Sequence, residues 1–200
     1  MKILTTIHEN MKEKSKKPSQ IGALTLAKDF ELAFVEPRFS DVTLRLGDKD
    51  FPAHKVILAN RSKVFEAMFN SDMKENQENI VELVEMNLST AQDMLKYIYT
   101  GSVQVVDMDR AINLYTVADR YDLQELKEWC KAFMLEHITS DYVCDVALIA
   151  DLHNEEDLAK VAKCVLKKNV KSILNSEKWK SFAKDNQVLY STMIESVVLD

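Results

Sequence analysis

One short stretch of the chain is patterned as strand, and most of the rest as helix. Between Leu26 and Val35, apolar Leu26, Phe30, Ala33 and Phe34 share one helical stripe. Pro37 stops it, because the residue before a proline avoids helical geometry. Asp41-Val42-Thr43-Leu44-Arg45-Leu46 alternates with period two, the mark of a strand buried on one face. Gly47-Asp48 supplies a turn and Phe51 to His54 reads as the returning strand, with Pro52 confined to an edge because it cannot donate to a ladder. Ser62 is positioned to cap a helix over Val64, Phe65, Met68 and Phe69. A polar stretch from Asn70 to Asn79 leads to a short strand at Ile80-Val81-Glu82-Leu83.

Beyond this strand the period is helical throughout. Ser89 with Gln92 has capping-box spacing and predicts a helix over Met94, Leu95 and Ile98 that ends at Gly101. Further stripes run through Ala111, Leu114, Tyr115 and Ala118, then Leu126, Trp129, Cys130 and Phe133, then Val143, Val146, Ala147 and Ala150. Asn154, three residues ahead of Asp157, predicts the cap of a helix over Leu158, Val161, Ala162 and Val165, and short helical pieces close the chain. The start reads as a polar arm, with lysines at 12, 14, 16 and 17. The order of elements predicts an α+β fold: a small sheet wrapped by helices, followed by an all-α extension.

Composition narrows the chemistry. Three glycines in 200 residues, widely separated at Gly22, Gly47 and Gly101, cannot build a phosphate-cradling loop, so P-loop, Rossmann and kinase glycine motifs are excluded. With 26 basic against 32 acidic residues the net charge is −6, which disfavours nucleic acid. The lysines at 160, 163, 167, 168 and 171 have no interleaved aromatics and acidic neighbours at Asp145, Asp151, Glu155 and Glu156, so they read as a solvated face. Cys130, Cys144 and Cys164 make an odd count without metal or disulfide spacing, which predicts a reducing compartment, cytoplasm or nucleus. No apolar run approaches 18 residues, and Met1-Lys2-Ile3-Leu4 lacks a signal-peptide core, so no membrane association is expected. The four histidines are scattered, Cys130 and His137 alone do not make a metal site, and Asp151 and His153 do not face each other on a helix. No enzyme activity, cofactor, metal or small-molecule substrate is expected.

A frame of motifs carries more. Phe39-Ser40-Asp41-Val42-Thr43-Leu44, Phe51-Pro52-Ala53-His54-Lys55-Val56-Ile57-Leu58-Ala59, Arg61-Ser62-Lys63-Val64-Phe65, Tyr97-Ile98-Tyr99-Thr100-Gly101 and Ala118-Asp119-Arg120-Tyr121-Asp122-Leu123 arrive in the order of the BTB/POZ domain, which this chain resembles. Ala150-Asp151-Leu152-His153 and Trp179-Lys180-Ser181 are similar to the 3-box and shortened BACK helices of the speckle-type POZ proteins, and no counterpart of their substrate-capturing MATH domain is expected. The resemblance implies a disordered arm over 1–22, a BTB/POZ domain over 23–138 and 3-box/BACK-like helices over 139–200.

The resemblance also implies a non-enzymatic, dimeric adaptor for cullin-3 in a ubiquitin ligase, pairing with itself or with MATH-containing relatives. The family's hydrophobic-x-Glu contact falls on Met73 and Glu75, with Tyr121 extending the cullin surface and the helices after Ser140 widening it. Its dimer contact falls on Leu26, Phe30 and Ala33, with Ile57 on the neighbouring element, and Asp41 with Lys55 matches a structural charged pair. The alternative is a BTB module that recruits a transcriptional co-repressor or another peptide without a ligase role.

Overall fold

The computed structural model describes residues 18–70, 74–104 and 107–198. Its contacts divide the chain into two compact units, one of Met1–Arg61, Phe65–Val84 and Leu95–Val103, the other of Ser62–Val64, Glu85–Met94 and Gln104–Asp200.

The first unit is organised by its sheet. Strand β1 (Val42–Leu46) buries Val42 and Leu44 and turns Thr43 and Arg45 outward, as its period of two requires. A two-residue loop with Gly47 at φ +57 returns the chain into β2 (Lys49–Ala53), antiparallel to β1. Across this hairpin the Arg45 guanidinium reaches both oxygens of Asp50, at 2.8 and 3.1 Å. Strand β3 (Ile80–Glu82) pairs with β1 in parallel, giving the order β2-β1-β3. Pro52 therefore sits on an edge strand, opposite Thr43.

Around the sheet run α1 (Pro18–Val35), α2 (Lys55–Arg61), α3 (Lys63–Asn70) and the short α4 (Lys74–Glu78). Helix α1 is about twice as long as its apolar stripe predicted, and it takes in residues 18–22 of the expected arm. Residues 1–17 of that arm lie outside the described residues.

Helix α5 (Leu88–Thr100) is shared between the units, as is α3. The cap of α5 differs from expectation. Asn87, not Ser89, receives the free N-terminal groups: its Oδ1 accepts from the Thr90 N–H at 2.9 Å and from both the Ser89 and Thr90 hydroxyls. Gly101 ends the helix at φ +67, its N–H on the Tyr97 carbonyl.

The second unit is helical. Helices α6 (Met108–Arg120) and α7 (Gln124–His137) pair side by side. A 3-10 turn (Ser140–Tyr142) leads to α8 (Val143–His153), and α9 (Glu156–Lys168) packs against both α8 and α7. Helices α10 (Val170–Leu174), α11 (Glu177–Asp185) and α12 (Gln187–Val198) complete it. Leu114, Tyr115, Leu126, Met134, Leu158 and Leu166 form its fully buried centre.

Asp107 caps α6 through the Arg110 N–H, and Ser176 caps α11 through the Trp179 N–H. Asn154 does not cap α9 as expected. It closes α8 instead, at φ 55 and ψ 42, a left-handed conformation that asparagine tolerates better than most residues.

Candidate protein-interaction site

In the first unit the apolar residues of α1 are only partly covered, with Phe30, Ala33 and Phe34 half-buried. None of the described α1 side chains is buried: Leu26 and Leu32 are each 57% exposed, Leu24 46% and Val35 68%. A helix apolar on more than one side ordinarily sits inside a core. Leu26, Ala27 and Phe30 form one wall of an open groove of about 500 Å³, with Val56 and Ile57 of α2 and Tyr99 of α5 on the others. The structure thus brings the sequence-selected Leu26, Phe30 and Ile57 together, and Ala33 follows one turn further along the same helix face.

Val56, 67% exposed, and Tyr99 are groove residues that sequence reasoning missed. For Val56 a signal existed, an unpaired apolar residue beside Ile57 at the start of a short helix.

Tyr99 is held in place by polar contacts. Its hydroxyl accepts from the His54 backbone N–H at 3.0 Å and lies 2.8 Å from His54 Nδ1, while His54 Nε2 lies 2.7 Å from the Arg38 carbonyl. A ring protonated on Nε2 satisfies every group: Tyr99 donates to Nδ1 and Nε2–H donates to Arg38. Burial raises the Tyr99 phenol above its ordinary range, the nearby Asp41 charge adding to this. Phe34 packs on the Tyr99 ring at 5.7 Å. The groove wall is therefore preformed rather than loose.

Asp41 and Lys55 do meet, but not as a charged pair. The Asp41 carboxylate accepts from the backbone N–H of Lys55 at 2.8 Å, at the first residue of α2. There the unpaired amides and the helix dipole both favour a negative charge. The Lys55 ammonium turns elsewhere, to Asn76 Oδ1 at 3.1 Å and over the Phe69 ring at 5.4 Å.

Of the residues expected to meet cullin, Met73 lies outside the described residues. Glu75 is half-buried in α4, directly ahead of β3. Tyr121 corrects the expectation: it ends α6 with only 2% of its surface exposed, and burial raises its phenol. Its side chain belongs to the core and offers no surface to a partner. Its carbonyl accepts from the Ser62 hydroxyl at 2.6 Å.

In the second unit the polar groups are turned inward onto each other. Glu155 accepts from the Tyr115 hydroxyl at 2.7 Å and from Lys131 at 2.6 Å, with Lys127 at 3.7 Å. Burial alone would raise this carboxyl, but the hydrogen bonds from Lys131 and Tyr115 outweigh it and hold it below the usual range. Burial, aided by the bond to Glu155, raises the Tyr115 phenol strongly. Lys127 also bonds Asp119 at 2.6 Å, and His153 Nδ1 lies 3.2 Å from the same carboxylate.

The cysteines divide by burial. Cys130 is fully buried and pushed up to about 12, Cys144 to about 11, so both stay thiols at neutral pH. His137 is exposed and stacks on Phe133 at 4.1 Å. Among the described residues no cluster of histidine, cysteine and carboxylate is arranged to hold a metal, and no helix is long and apolar enough to cross a membrane. The arrangement offers surfaces: a partly covered apolar helix, a preformed groove and a short helix ahead of the edge strand.

Compared with known families, residues 30–138 match the BTB/POZ domain. Among solved structures the chain is similar to the BTB domain of zebrafish PATZ1, with 27% identity and a TM-score of 0.51 over 62% of this chain and 98% of that one. BTB domains are protein-interaction modules that typically dimerise and bind partner proteins, which accords with an apolar helix left open on a well-packed domain. The match spans more than half of the chain, from within α1 to the residue after α7, and the chain belongs to the BTB/POZ family.

Proposed function

We propose that this chain is a dimeric, non-enzymatic BTB adaptor that docks cullin-3 of a ubiquitin ligase. In this reading its BTB domain spans 23–138, and the helices over 139–200 play the part of the 3-box and BACK helices of the speckle-type POZ proteins. A second copy, or a MATH-containing relative, pairs through Leu26, Phe30, Ala33 and Ile57. Cullin is met by Met73 and Glu75 and not by Tyr121, whose side chain is buried.

The observation that carries the reading is helix α1, apolar yet without one buried side chain among those described. Support for the cullin contact is the position of Glu75, half-buried on the short helix before β3, two residues after an apolar Met73. An apolar anchor supplies buried area and the adjacent carboxylate sets register.

A pull-down with purified cullin-3 tests it. Wild-type chain binds, and Met73→Asp with Glu75→Lys weakens binding at least tenfold while the far-UV spectrum is unchanged. Binding absent from wild type, or indifferent to both substitutions, removes the ligase role. The groove of about 500 Å³ favours one second reading, a module that captures a co-repressor peptide without a ligase. Affinity capture returning chromatin proteins and no cullin would select it.

A further inference from the structure

We propose that the outer face of α7 is a docking surface for an arginine-bearing basic segment of a partner protein. This surface draws on no residue of the dimer or cullin readings and is tested apart from them.

Helix pitch builds the face. Trp129, Phe133 and His137 follow one another at a spacing of four, which brings their side chains onto one side of α7. Their rings lie nearly parallel. Trp129 stacks on Phe133 with centroids 5.7 Å apart and planes at 21°, and Phe133 stacks on His137 at 4.1 Å and 15°. The His137 Nδ1–H donates to the Phe133 carbonyl at 2.9 Å, which fixes the last ring and leaves Nε2 an acceptor in the neutral form. Trp129 is 39% exposed, His137 is exposed and Phe133 is half-buried. The other tryptophan, Trp179, is 2% exposed and packs on Phe182 and Tyr190. A column of three rings held at the surface differs from the scattered single apolar residues that any surface carries.

Charge on α7 is sorted by side. Its two lysines, Lys127 and Lys131, bond Asp119 and Glu155, each at 2.6 Å. Glu125 lies one turn before Trp129 and Glu136 two turns after it, on the same side of the helix, and both are exposed. The outer face therefore presents aromatic rings and carboxylates, with no lysine or arginine of α7 among them.

That combination selects the occupant. A ring face attracts a cation, and a carboxylate pairs with one. A guanidinium does both at once, because its plane stacks on a ring while its fork of N–H donors meets a carboxylate. It is also more weakly hydrated than an ammonium, so it comes more readily against apolar rings. An apolar partner would take water from Glu125 and Glu136 without replacing it, and an acidic partner would be repelled.

The probe is a hexa-arginine peptide, titrated into the full chain at low salt and followed by calorimetry and tryptophan emission. Trp179 is buried, so a change in emission reports Trp129. The expected result is saturable binding, about threefold weaker for hexalysine and absent for hexaglutamate. Trp129→Ala lowers the affinity about tenfold, and Glu125→Gln with Glu136→Gln about fivefold, with the far-UV spectrum unchanged in both. Asp48→Asn with Glu195→Gln makes the same change of charge at exposed positions elsewhere and leaves the affinity as it was. An equal loss from the two charge variants, or equal binding of the arginine and lysine peptides, assigns the attraction to the net charge of −6 and overturns the proposal. Affinity indifferent to Trp129→Ala overturns it as well.

Discussion

Helix α8 buries Val143, Cys144, Val146, Ala147, Ile149 and Ala150, whereas α1, also rich in apolar residues, leaves Leu24, Leu26, Leu32 and Val35 between 46% and 68% exposed. The difference lies in what surrounds them. Helix α8 has neighbours within its own unit, with α9 along one side and α6, α11 and α12 also in contact. Helix α1 half-buries Phe30, Ala33 and Phe34 beside the groove and leaves Leu24, Leu26, Leu32 and Val35 largely in water. Apolar area left in water at ~25 cal/mol per Å² is a standing drive toward association, while the same area inside a bundle is already spent on folding. Similar sequence patterns therefore serve stability in one unit and recognition in the other.

The contrast breaks most severely at the bundle centre. Leu166→Ala, at a side chain with no exposure, should cost about 2–5 kcal/mol by leaving a cavity, seen as a lower urea midpoint. The dimer mass at low temperature should not change. On α1 the pattern inverts. Leu26→Asp with Phe30→Asp should weaken dimerisation by about a hundredfold or more, roughly 2.7 kcal/mol, in sedimentation. The monomer's own stability should move by less than about 1 kcal/mol, since Leu26 is exposed and Phe30 is only half-buried. A large loss of monomer stability would mean α1 belongs to the core of its own domain.

A third test sharpens the account of the bundle. Glu155→Gln removes a charge that Lys131 and Tyr115 both address, and should cost about 1–3 kcal/mol at pH 7. The folded-state carboxyl is held below its ordinary value of 4.5, so its contribution is present above that value and disappears as pH falls through the lower folded one. Wild type and variant should differ at pH 7 and converge in urea melts below about pH 4.5. A difference that persists unchanged in acid would assign the effect to packing.

The smallest effect separates two roles for Asp41. Asp41→Ala should cost about 1 kcal/mol by exposing the first amide of α2, while Lys55→Gln should cost less than half of that in thermal melts. Equal losses would restore the ion pair that the sequence suggested.

Much of the fold was legible because its signals are local. The period-two segment at Val42–Leu46, the Gly47 turn, the edge position of Pro52 and the Gly101 helix end each follow from backbone chemistry within a few residues. Helix caps were less legible. Ser89 has the right spacing for a capping box, yet Asn87 two residues earlier offers a better acceptor. Asn154 suits either end of a helix, and only the course of α8 decides between them.

The candidate site divides in the same way. Leu26, Phe30 and Ala33 were visible as one stripe, because spacing on a helix is fixed by its pitch. That Tyr121 lies inside while Val56 lies outside follows from packing across distant segments, which no local pattern encodes.

By itself, the sequence determined the order of elements, the absence of a phosphate loop and the family to which the motif frame belongs, since these rest on residue type and near spacing. Tertiary structure alone decided that α1 stays only partly covered, that Tyr99 and His54 brace a groove beside it, and that the Asp41 carboxylate meets an amide rather than an ammonium. Burial and hydrogen-bond partners are set by segments that meet only after folding. Residues 41 and 55, or 54 and 99, can be joined in space without any signal joining them in the chain.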